Sequence, residues 1–137
     1  MNAWQQLEAV KGHYKRMKDA EQLLLRMKER AESTTRMLLV DKVKGSKQNR
    51  SEDATIDLIE ARDLYGESIS QYLNAFESAS KIIGSLSDPE WIRILSARYI
   101  RLLSWSKIAA ETGNSSRKCM LINKKASELL QTWETGE

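Results

Sequence analysis

Between Ser115 and Lys125 the chain carries four cations, Arg117, Lys118, Lys124 and Lys125, and no acid. At 100° per residue Arg117, Met120, Leu121 and Lys124 fall on one side of a helix, with Ser116, Lys118, Asn123 and Lys125 on its flanks. Cys119, Ile122, Ala126, Leu129, Leu130 and Trp133 fall on the other, at the spacing of a buried face. An acid-free cationic helix face is suited to a polyanion. Arg117 can offer a bidentate fork to guanine, while Lys118, Lys124 and Lys125 can neutralise phosphates. Met120 and Leu121 have two readings that the sequence leaves open: contact with thymine methyl groups, or packing against a partner chain or the rest of the protein.

Other chemistry finds little support. The single cysteine, Cys119, falls in the buried phase, and the single histidine, His13, has no companions with which to build a metal site. Paired carboxylates, a phosphate-binding loop and a nucleophile–base set are all missing from the motifs, so no enzyme, no cofactor and no small-molecule substrate are expected. The ends carry no basic, apolar signal pattern, and the longest apolar runs, Leu23 to Leu25 and Met37 to Val40, are too short to cross a bilayer. The expectation is a soluble cytoplasmic protein that does not engage membranes.

The elements that must position the cationic helix follow from periodicity. One proline, six glycines and abundant Leu, Ala, Lys, Glu and Arg in 137 residues favour an all-α chain. Ala3, Val10, Met17, Leu24, Ala31 and Leu38 recur every seven residues, which predicts a long first helix. The polar, basic stretch at about 41–51 reads as a connection, and Ser51 with Glu52 and Asp53 as the start of a second helix. That helix carries Leu58, Tyr65, Tyr72, Ala79 and Leu86 in one heptad series and Ile69, Phe76 and Ile83 in a companion series, which only Arg62 interrupts. Residues 1–86 are therefore expected to form a long antiparallel helical hairpin. It either packs on itself or donates its stripes to a second copy in a homodimer.

Residues 87–137 are expected to form a small three-helix domain. Ser87-Asp-Pro-Glu marks a helix start; Ser104 can cap a short helix from Trp105 to Thr112; Gly113-Asn114 suits a sharp turn; and Ser115 can cap the last helix. A short helix, a glycine turn and a capped second helix form the layout of a helix-turn-helix, whose second helix enters the major groove. Charge is partitioned along the chain. Residues 1–50 hold 12 Lys or Arg against 6 Asp or Glu, residues 51–90 hold 2 against 9, and residues 91–137 hold 8 against 4. The two basic zones are where a polyanion would meet the protein.

The blocks Ile94-Leu-Ser-Ala-Arg98-Tyr99-Ile100, Ser104-Trp-Ser-Lys-Ile108-Ala109, Gly113-Asn-Ser115 and Ala126-Ser-Glu-Leu129 resemble the DNA-binding fourth domain of sigma factors. They are closer still to sigma-like phage transcriptional regulators of the RinA and ArpU type. The resemblance extends upstream through Thr34, Thr35 and the Lys-Gly-Ser-Lys connection, covering roughly residues 20 to 133. It implies a sequence-specific DNA-binding regulator that activates late genes of a phage or prophage at promoters, alongside host RNA polymerase. By position it implies that Ser116, Arg117 and Met120 face bases and that Ser104 and Lys107 approach the DNA backbone; Ser115, at the head of the same helix, joins the backbone set. Capping is a rival role for Ser104. Cys119, Met120 and Asn123 depart from the residues common in that family, so target sequence does not transfer. Two other functions share this layout: a small terminase-like DNA-packaging protein that assembles into rings, and a helical interaction module that does not bind DNA.

Overall fold

The computed structural model describes residues 1–40 and 45–134, and among them the chain is helical. Two long helices, α1 (Ala3–Val40) and α2 (Gly45–Gly84), are followed by α3 (Pro89–Leu95), a π-helical turn (Ser96–Ile100), α4 (Trp105–Thr112) and α5 (Ser116–Leu130). The all-α expectation is met. No helix among the described residues is long and apolar enough to cross a membrane.

The second helix starts earlier than its sequence suggests. Of the expected connection at 41–51, residues 41–44 lie outside the described residues, while 45–51 are the first turns of α2, so Ser51 is inside a helix rather than at its cap. Lys47, Gln48 and Arg50 belong to residue types with high helix propensity. A single glycine at the helix end costs too little to stop propagation.

The chain divides into two compact units, and the division does not follow the expected boundary after residue 86. One unit joins Met1–Tyr14 to the residues from Tyr72 onward; the other is Lys15–Gln71.

In the first unit, Ala3, Leu7 and Val10 from the start of α1 share one cluster with Ala79, Ile82 and Ile83 from the end of α2 and Leu86 just beyond it. Leu95, Ala126 and Leu130 from the short helices complete that cluster. A second cluster holds Ile94, Ala97, Ile108, Cys119 and Ile122. The reason for the shared core is geometric. Helices of seven, eight and fifteen residues can cover only part of one another, and the ends of the long helices bury what is left: Leu95 of α3 and the later part of the α5 stripe, Ala126 and Leu130. The chain's two ends are joined directly: the Ala3 N–H donates to the Trp133 carbonyl at 2.8 Å, and Asn2 pairs with Glu134 in an isolated antiparallel bridge.

In the second unit α1 and α2 run antiparallel, since Tyr65 donates to Glu21 at 3.0 Å while Arg30 pairs with Asp57 nine residues further along α1 and eight residues back along α2. Ala20 and Leu24 are buried on α1, and Ala54, Ala61 and Ser68 on α2. Within this unit the companion series on α2 therefore sits one residue earlier than expected, whereas Ile83, of the same series in the other unit, is buried as expected. Ile69 is only half-buried, and exposed Arg62 interrupts nothing because the buried position is Ala61. Small side chains at 54, 61 and 68 fill the seam where a wider residue would hold two backbones apart.

Candidate nucleic-acid interface

The last two helices are set by local chemistry. The Ser104 hydroxyl accepts from the Lys107 N–H at 3.4 Å and caps α4; the Ser115 hydroxyl accepts from the Lys118 N–H at 3.1 Å and caps α5. Each such cap is worth roughly 1 kcal/mol. Between them Gly113 adopts φ 72°, the left-handed conformation that ends α4, and its N–H donates to the Ala109 carbonyl at 3.0 Å.

Along α5 the buried residues are Cys119, Ile122, Ala126 and Leu130. Leu129, expected among them, is 40% exposed, because it stands at the rim of that stripe. Arg117, Lys118, Lys124 and Lys125 are exposed on the side away from the core, as are Met120 (48%) and Leu121 (51%); Ser116 is half-buried. Ser104, Lys107 and Ser115 are exposed as well, at the starts of α4 and α5. Most of the nominated side chains thus share one capped helix or the first turn of its neighbour. Capping does not exhaust Ser104 or Ser115: each hydroxyl accepts one bond there and keeps its own proton to donate.

Three residues change the electrostatics in ways the sequence did not suggest. Glu90, in the first turn of α3, takes the Lys118 ammonium at 3.3 Å and the Asn114 side-chain amide at 3.1 Å, so Lys118 is held rather than free. The pair is exposed, and such pairs are weak enough to yield to a phosphate. Glu128, exposed one turn beyond Lys124, bounds the acid-free surface on its far side. Glu111 of α4 is neutralised by Arg101, whose guanidinium bonds both carboxylate oxygens at 2.7 and 2.9 Å; that hydrogen bonding holds the Glu111 carboxyl below its usual range.

A buttress lies behind this surface. The Tyr99 hydroxyl donates to Asn123 Oδ1 at 2.7 Å, which turns Asn123 inward from the flank where helical phase alone put it. The Tyr99 ring packs edge-on to Trp4 with centroids 5.2 Å apart, and burial pushes its hydroxyl pKa up to about 12. Arg98 lies over the Trp105 ring, 4.6 Å from its centroid, and donates to the Leu103 carbonyl at 3.1 Å. Arg98 and Tyr99 both belong to the π-turn, where the Arg101 N–H reaches back five residues to the Ser96 carbonyl at 3.0 Å. Leu102 follows with φ 57°, an uncommon conformation for a side chain of its size. Trp105 is half-buried beneath Arg98. Periodicity carries no signal for a π-turn or a left-handed leucine; the Arg-Tyr-Ile block was the only pointer to this region.

No group of three His, Cys, Asp or Glu among the described residues is placed to hold a metal ion. No protein-family model matches this chain, no curated protein is significantly similar to it, and no solved structure matches it.

Proposed function

We propose that this chain is a sequence-specific duplex-DNA-binding regulator, with α4 and α5 acting as a helix-turn-helix and α5 entering the major groove. The observation that carries this reading is the combination on α5 of a buried apolar stripe and, opposite it, an exposed cationic surface free of acids over its first three turns. In this reading Ser116, Arg117 and Met120 face base edges, while Ser104, Lys107, Ser115, Lys124 and Lys125 meet the backbone. Lys118 joins them after exchanging Glu90 for a phosphate. The sigma-like resemblance suggests action at phage or prophage promoters beside host RNA polymerase.

Two substitutions test it on duplexes selected from a random pool by the wild-type protein. Arg117→Ala is expected to cost about 1 to 3 kcal/mol on the preferred duplex and to relax preference at one position. Lys124→Ala is expected to weaken all duplexes alike and to flatten the salt dependence by about one unit of slope. Uniform losses in both variants would remove Arg117 from base reading, and no retention of any duplex at low salt would end the proposal.

A second reading rests on the exposure of Met120 and Leu121: α5 docks a protein rather than DNA. Leu121→Ser should then abolish partner capture while Lys124→Ala leaves it intact.

A further inference from the structure

Among its described residues the unit Lys15–Gln71 has a thin core. Of its described side chains only Ala20, Leu24, Ala54, Ala61 and Ser68 are buried, so Leu24 is the one large apolar residue among them, while Met17, Leu23, Met27, Leu58, Tyr65 and Ile69 are half-buried. Leu25 (54% exposed), Ile56, Ile59 (52% exposed) and Leu64 stand outside that seam. A pair of helices can cover only the stripe that faces its neighbour, and helical bundles close their remaining apolar surface with further helices.

The outlying residues are not scattered at random. With α1 and α2 antiparallel and 100° per residue, Leu25 and Ile59 project to the same side of the pair, within about a turn of the same level. The half-buried Met17 and Ile69 lie between these two rows further along the same side. Leu64 projects to the opposite side, beside the groove lined by Arg16 and Glu67.

We propose that a second copy of this chain covers the Leu25–Ile59 side, completing a four-helix arrangement from two helical pairs. Charge identifies the occupant. Residues 15–40 hold seven Lys or Arg against four Asp or Glu, whereas residues 52–71 hold one against six. A uniformly acidic or uniformly basic partner would suit one helix and be repelled by the other. A second copy related by a twofold axis offers a basic helix and an acidic helix at once, and the same patch serves both subunits. Neither the residues nor the charges used here belong to the proposed DNA-binding surface, so this inference stands or falls separately from that one.

Light scattering on the full chain at micromolar concentration is expected to give twice the 15.7 kDa chain mass. The double variant Leu25→Glu, Ile59→Glu should give a monomer, while Leu64→Glu, on the opposite side of the pair, should leave the dimer unchanged. A monomeric wild type, a double variant that still dimerises, or an assembly of eight or more subunits would overturn the proposal. Should the double variant fail to fold, the wild-type melting temperature decides: it rises with protein concentration if folding is coupled to dimerisation, and a value independent of concentration would count against it.

Discussion

Tyr99 has a pH signature of its own at the residue scale. Its hydroxyl is partly buried, bonded to Asn123 and pushed up to about 12, whereas an unfolded tyrosine titrates near 10. A folded-state pKa above the unfolded one means a stabilising contribution that is complete below pH 10 and is lost as pH rises from 10 through 12. Alkaline unfolding followed by circular dichroism should therefore steepen in that window, and Tyr99→Phe should flatten it. At neutral pH the same substitution removes one hydrogen bond and should cost about 1 kcal/mol by denaturant titration. Glu90 makes the complementary point. An acid three residues after Ser87 reads as a helix-start signal, and in the structure it is also a clamp on Lys118 and Asn114. Nothing in the spacing of those residues joins them, because 24 positions separate Glu90 from Asn114 and only the turn at Gly113 brings them together.

Among the elements, the bend between α4 and α5 depends on one backbone conformation. Gly113 is at φ 72° with no atom within 4 Å of where a Cβ would stand, so Gly113→Ala meets no steric obstacle and incurs only the left-handed backbone penalty. The expected cost is about 1 to 2 kcal/mol, visible as a lower melting temperature in calorimetry; an unchanged melting temperature would mean the turn has other conformations available. The helices themselves were legible in the sequence because buried faces repeat at 3.6 residues, and the caps at Ser104 and Ser115 because hydroxyls precede periodic runs. The register of α2 was not. Bulky Ile69, Phe76 and Ile83 draw the eye to one series; Ile83 is indeed buried, but between residues 52 and 71 the buried side chains are the small ones one position earlier, Ala54, Ala61 and Ser68. The early start of α2 was missed for a related reason: a polar, basic stretch looks like a loop although its Lys, Gln and Arg residues are good helix formers.

For the whole molecule, the change of character at Ser87-Asp-Pro-Glu marks a helix start and not the edge of a core. Ala3, Leu7 and Val10 are fully buried in the cluster that holds Ala126 and Leu130. A fragment of residues 87–137 is therefore expected to lose cooperative folding, and so is a chain lacking residues 1–14. Far-ultraviolet circular dichroism with thermal melting checks both, a sharp transition in either being the contrary result. Local patterns identified α5 and its cationic surface, but no local pattern could show that its far side is covered by residues more than a hundred positions earlier.

The bond between the Ala3 amide and the Trp133 carbonyl has a temporal consequence. During synthesis the first turns of α1 emerge long before Ala126 and Leu130, which share the cluster that holds Leu7 and Val10. Assembly of this body must wait until α5 has been made. A message interrupted anywhere ahead of Ala126 would yield a product with Leu7 and Val10 incompletely covered, a natural target for chaperones and proteases.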